Sequence, residues 1–267
     1  MIRRPITRSW GVVLGCLSVL LLLAGYTWVS HRQHQVNPDD TTIPNWSQLY
    51  EGVKKFTQPD RKEKRWIVED SIATGRRLFF GLGLGVVFGF AIGMMMGCIT
   101  PIEAFLQPPI SLLAKVPQTA ALAVYFVFFG TGMEMYVAMI AFGIIPALAV
   151  TVHLAIKDLP SEMLDKAYTL GASHFEVAAE VVLKQILPKF IDAVRLAIGP
   201  AIVFLIAAEM VVGDVGFGYR IRLQFKLTNM NVVYPYLVML AFFGFALDYG
   251  LRFLRAKLCP WYQRDSK

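Results

Sequence analysis

Cysteine, histidine and charge are all scarce in this chain. The three cysteines, Cys16, Cys98 and Cys259, lie in or beside different apolar runs with no paired spacing, which excludes a disulfide framework and a spaced-cysteine zinc site. Four scattered histidines give no metal-ligand pattern, and no cofactor is expected. No G-x4-G-K-S/T segment occurs, so the chain does not bind and hydrolyse ATP through a phosphate loop and is not read as an enzyme. Charged residues make up 17% of the chain against 56% hydrophobic, too little polarity for a soluble domain of this length.

What is present is apolar length. A bilayer core of about 30 Å requires about 20 apolar helical residues. Six runs qualify, at about 10–29, 76–99, 108–130, 133–155, 193–213 and 232–254. The expected fold is an all-α polytopic membrane protein with about six transmembrane helices. A net charge of +7 would suggest nucleic acid in a soluble protein. Here the bases gather near both ends, as Arg3, Arg4 and Arg8 and as Arg252, Arg255, Lys257, Arg264 and Lys267, which suits cytoplasmic anchoring with no nucleic-acid partner. An even number of spans then puts both termini in the cytoplasm. No small-residue cleavage site follows Trp28, so the first run reads as a retained helix, with a cleaved signal peptide as the alternative. The expected organisation is an N-terminal helix (1–30), an external segment (31–75), a membrane core (76–255) and a cytoplasmic tail (256–267).

Local patterns refine this outline. Segment 30–70 balances seven Lys/Arg against seven acids and says little about orientation. Within it, Trp46, Leu49, Tyr50, Val53 and Phe56 form a helical stripe after a possible Asn45 cap, with Gln48 three residues on. The stripe suits packing on the bundle or the outer surface, with a binding role as the alternative, and the run Asp60 to Arg65 suits a solvated loop. Gly81, Gly85, Gly89, Gly93 and Gly97 recur every four residues, a ridge for close helix approach or a sliding contact. Pro108-Pro109 and Lys115-Val116-Pro117 should break the third run, and broken helices in lipid line cavities. Lys115 either belongs to such a cavity or snorkels from a span edge. Glu209 is an ionisable group inside the fifth run, placed either on a pathway or gate or in a structural hydrogen bond to a neighbouring helix.

The polar interruption at 157–189 is too polar to span and too long for a simple loop. It carries Asp165-Lys166-Ala167, Gly171-Ala172-Ser173, Val181-Val182-Leu183 and Leu187-Pro188, and reads as a docking surface for a soluble partner. In order and spacing these residues resemble the E-A-A-x3-G-x9-I-x-L-P loop of permease subunits of ATP-binding-cassette importers. Further matches are similar to the nitrate/sulfonate/taurine group of those permeases: Thr74, Arg77 and Gly81 as S/T-x2-R-x3-G; Pro108-Pro109-Ile110, Lys115, Pro117 and Phe129-Gly130; and Ala207-Ala208-Glu209-Met210 followed by Gly216-Phe217-Gly218-Tyr219. The chain departs from the group at Asp165-Lys166 for Glu-Ala, at Lys184 where proline is usual, and at Lys115 for arginine, which keeps the charge but loses the planar fork.

The resemblance implies a type I importer permease fold with a cytoplasmic coupling helix between spans four and five, in a bacterial inner membrane. It implies that Asp165, Ala167, Leu170, Gly171, Ala172, Ser173, Leu183 and Pro188 couple to the ATPase, and that Lys115, Pro117 and Glu209 belong to the translocation pathway or gate. The implied partners are two ATP-binding-cassette ATPase subunits, a second permease subunit most simply supplied by a homodimer, and an extracytoplasmic substrate-binding protein. The implied cargo is a small solute, such as the anions nitrate, bicarbonate, taurine and other sulfonates. The loop 213–231 sets Arg220, Arg222 and Lys226 against Asp214 alone, which would favour an anion or serve headgroup contacts. The alternative class, a secondary transporter or channel without an ATPase, would require broken helices repeated in two halves, and no second copy is visible.

Overall fold

A computed structural model describes residues 7–38, 40–59 and 65–262. Arg3, Arg4, residues 60–64 of the charged run, Arg264 and Lys267 lie outside the described residues. The described chain is helical: α1 (Arg8–Val36), α2 (Trp46–Thr57), α3 (Trp66–Cys98), α4 (Thr100–Leu113), α5 (Leu122–Phe129), α6 (Met133–Lys157), α7 (Ser161–Thr169), α8 (His174–Val212), α9 (Phe217–Lys226) and α10 (Met230–Leu258). Among the described residues, five helices are long and apolar enough to cross a membrane: α1, α3, α6, α8 and α10.

The run at 108–130 differs from the single span expected. α4 passes through Pro108 and Pro109 unbroken and ends at Leu113, and the backbone then turns until α5 begins at Leu122. The break falls at the second proline site, because Pro117 has no N–H and pushes Val116 out of the helical region. At 1.5 Å per residue, the 14 residues of α4 rise about 21 Å and the 8 of α5 about 12 Å, so neither alone is long enough to cross a core of about 30 Å.

Two compact units share the chain, one formed by residues up to Ile67 with Ile221–Val238, the other by Val68–Arg220 with Met239–Tyr262. In the first, Asn45 and Gln48 form a reciprocal capping box at the start of α2, with Gln48 N donating to Asn45 Oδ1 and Asn45 N to Gln48 Oε1, both at 2.9 Å. The expected apolar stripe divides. Gly52 and Phe56 are buried, whereas Trp46, Tyr50 and Val53 stay exposed. Burial turns toward Gly52 because a Cβ there would stand 1.9 Å from the Asn231 carbonyl oxygen, so that backbone approaches as only glycine allows. Phe56 meets Tyr236 edge-on with ring centroids 5.0 Å apart.

The second unit is built on α6, whose buried face runs from Met135 to Ile156. α3 lies parallel to it along the glycine ridge, and the pairing repeats every four residues: Gly81 on Ile140, Gly85 on Ile144, Gly89 on Leu148, Gly93 on Val152 and Gly97 on Ile156. A Cβ at any of the five would come within 2.4–2.8 Å of those side chains. The ridge is thus a packing seam within one chain. α8 packs on the same core through Val194, Ala197, Ala201, Leu205 and Ala208. α4 meets α6 and α3 through Ile110, Ala149 and Met96, and Glu103 pairs with Lys157 at 2.6 Å where α6 ends.

Candidate functional site

The polar loop begins where α6 ends. α7 carries Leu164 and Ala167 on its inward side, and these join Ala172 against Val152, Ala155 and Ile156 of α6 and Val177, Val182 and Ile186 of α8. Helix α7 stops because Gly171 takes a left-handed conformation, φ +86°, in which its N–H donates to the Tyr168 carbonyl at 2.9 Å and the Ala172 N–H reaches Ala167 at 3.1 Å. Nothing lies within 4 Å of a Cβ at Gly171, so backbone conformation alone requires glycine there. Ser173 restarts the chain as an N-cap. Its hydroxyl and N–H both donate to the Glu176 carboxylate, at 2.7 and 2.8 Å, and hold that carboxyl below the usual carboxylate range.

The outward side of this turn is unlike its seat. Asp165, Gly171 and Ser173 are exposed, and two large apolar side chains stand among them, Leu170 at 88% and Phe175 at 81% exposure. Leu183 is half-buried and Pro188 is buried, so these two shape the seat from within α8. Just before Leu183 the helix takes one turn of π geometry over Val177–Val182, which adds a residue to the register under the loop. Phe175 was not singled out by sequence, because a lone aromatic in an amphipathic stretch reads equally well as core.

Glu209 lies near the other end of α8 and is fully buried. Its carboxylate accepts from Thr74 Oγ1 at 2.9 and 3.1 Å, from Arg77 Nη1 at 2.9 Å and from the Gly218 N–H at 2.9 Å. Arg77 also donates to the Val215 carbonyl at 2.6 Å and lies 4.0 Å above the Tyr136 ring. Beside this pair, Asp70 is also fully buried, and it accepts from Arg220 Nε at 2.9 Å and from the Gly216 N–H at 3.0 Å. The loop joining α8 to α9 is therefore fastened to α3 by two ion pairs and several backbone donors. Gly216, at φ +120°, leaves no room for a side chain beside the Glu209 carboxylate. Sequence singled out Glu209 but not Asp70, whose charge was lost in the balance of the preceding segment. It also missed the pairing between α8 and α10, Arg195 to Asp248 at 2.8 Å and Arg255 to Asp192 at 2.6 Å.

Lys115 and Pro117 stand apart from Glu209, on the exposed turn between α4 and α5. The residue of that turn that faces inward is Gln118, whose amide oxygen accepts from Tyr125 Oη at 2.6 Å.

Spanning helices with a polar loop between two of them define a multi-pass membrane protein. The model of the binding-protein-dependent transport system inner membrane component family matches residues 84–258, and the chain belongs to that family. It is 26% identical over 260 residues to the taurine transport system permease protein TauC of Escherichia coli (strain K12), covering 97% of this chain and 93% of that one. It is 22% identical over 188 residues to the nitrate import permease protein NrtB of Leptolyngbya laminosa, covering 70% and 67%. Its fold is that of a chain in an inward-facing structure of the MetNI methionine ABC transporter, with a TM-score of 0.64 at 18% identity over 74% of this chain and 97% of that one. The chain has the type I importer permease fold and is an ABC importer permease of the taurine/sulfonate/nitrate group.

Proposed function

We propose that this chain, paired with a second copy of itself, moves a small anion inward, driven by two separate ATPase subunits seated on the α7 loop and supplied by an extracytoplasmic binding protein. The observation that carries the proposal is the two-sided loop: one side packed on α6 and α8, the other leaving Leu170 and Phe175 bare around Gly171. Apolar side chains left exposed on a polar loop mark a protein contact. On this reading Asp165 pairs with a basic group of the ATPase, and Leu170 and Phe175 fill its groove. Closure of the ATPase dimer pushes α7 against Val152, Ile156 and Ile186. The α3–α6 seam carries that push as one stiff body, and the bundles of two copies rock about the path between them.

The orientation belongs to the same proposal: the α7 loop and both termini face the cytoplasm. The cargo class follows the relatives named for taurine and nitrate; Arg220 adds nothing to it, because its charge is taken up by the buried Asp70. Glu209 is read as a tie that holds the α8–α9 loop during rocking, since all of its contacts are internal. The test is two-sided labelling after Cys16, Cys98 and Cys259 are replaced. Ser47→Cys reacts with an impermeant thiol reagent added outside intact cells, and Ser173→Cys reacts only after permeabilisation. Reversed labelling would turn the loop outward and remove the ATPase from the account.

A further inference from the structure

The turn between α4 and α5 places a cation deep in the span. Gln118 anchors it, because a Cβ at Gly143 would lie 3.2 Å from Gln118 Cγ. Gly143 is within the 25-residue α6. At 1.5 Å per residue it lies about 15 Å from the Met133 end and about 21 Å from the Lys157 end, so the turn sits near mid-depth and not at a span edge. Gln118 is buried, while Lys115, Val116 and Pro117 before it are exposed. Among the described residues no carboxylate pairs with Lys115.

These facts conflict with a lipid-facing turn. A lysine facing hydrocarbon at the middle of a bilayer costs roughly 3 kcal/mol, and at that depth the stem is too short to reach a headgroup easily. Backbone outside a helix is likewise tolerated at membrane depth only where protein buries it or water lines it. On the importer reading, with two copies set around a central path, the exposed side of the turn is the side turned to that path. We infer that the turn Ala114–Pro117 lines the aqueous path of the importer, and that the Lys115 ammonium is the contact for the anionic group of the cargo, a small oxyanion of the sulfonate, nitrate or bicarbonate kind. A single ammonium is a point charge with rotatable donors, so it accepts trigonal and tetrahedral oxyanions alike, where an arginine fork selects planar pairs. This inference rests on the importer reading above and adds the residue that meets the charge.

The test reports local potential without needing the cargo. With the native cysteines replaced, Val116→Cys is labelled in membranes by negatively and positively charged methanethiosulfonates. With Leu112, 69% exposed, one turn earlier, Leu112→Cys serves as a second reporter should Val116→Cys fail to accumulate. The negative reagent should react faster by about tenfold. Lys115→Gln should bring the two rates together and Lys115→Arg should keep them apart. In cells, Lys115→Gln should lower uptake of whichever of taurine, nitrate or bicarbonate the unaltered importer carries. Lack of reaction with either reagent, an unchanged ratio in Lys115→Gln, or undiminished uptake by that variant would overturn the inference. Co-purification of the ATPase is scored in the same membranes: retained with an unchanged ratio, it sinks the role of Lys115 alone, and its loss in the unaltered chain sinks the importer reading with it.

Discussion

The two ends of α8 show opposite treatments of polar residues. At the Glu209 end, two buried carboxylates meet two arginines, a threonine and the N–H groups of Gly216 and Gly218. At the α7 end, Asp165 is exposed, and Leu170 and Phe175 stand bare on either side of a left-handed glycine. The first region finds its partners within one chain. The second satisfies its backbone through Tyr168, Ala167 and Ser173 yet leaves side chains unmatched, which is how a surface looks when its partner lies on another molecule.

Mutations should separate the two ends. The largest loss is expected from Glu209→Leu, which strands Arg77 beside a buried void of charge and should cost about 3 kcal/mol, read as reduced accumulation and a lower melting temperature in detergent. Glu209→Gln keeps the shape and the Gly218 contact and should lose less, with uptake largely retained. A Gln variant that assembles with the ATPase but hydrolyses ATP without a loaded binding protein would move Glu209 from tie to gate and break the comparison. Next comes the seam. Gly93→Val would press on the Ala149 carbonyl, only 2.7 Å from where a Cβ would stand, and should cost about 2 kcal/mol by overpacking, with the same melting readout.

The smallest effect sharpens the open end. Ser173→Ala removes the cap at the start of α8 and should cost about 1 kcal/mol locally, seen as faster amide exchange at Glu176 and Val177 with little change in global melting. In the unaltered chain the Glu176 carboxyl is depressed by the Ser173 donors. A depressed carboxylate stabilises above its ordinary range and loses that contribution as pH falls through the lowered value. Protection of these amides should therefore hold at neutral pH and weaken on acidification, and the pH dependence should shrink but persist in Ser173→Ala, which loses the hydroxyl donor and keeps the backbone N–H.

Much of this was legible in the chain because spacing carries geometry. Five glycines at four-residue intervals define one helix face, and the structure sets each against an apolar residue of α6 at the same interval. Asn45 and Gln48 announce a capping box that forms with both bonds. Gly171 reads as a turn and adopts one. Contacts distant in sequence were another matter. Asp70 and Arg220 are separated by 150 positions, and no periodicity links them. The proline pairs misled in the opposite way: Pro108 and Pro109 fit within α4, and only Pro117 ends it, because what a proline breaks depends on whether its neighbours can satisfy the freed carbonyls. The split of the α2 stripe followed from the Asn231 carbonyl beside Gly52, which belongs to a segment far along the chain.

The central claim, that the α7 loop seats a separate ATPase, is tested most directly by pull-down of that ATPase with the permease carrying Leu170→Asp and Phe175→Asp together. Both side chains are exposed, so the variant should reach the membrane in normal amount with an unchanged melting temperature. The account predicts that the ATPase no longer co-purifies and that uptake is abolished; a variant that retains its ATPase and its uptake would contradict it.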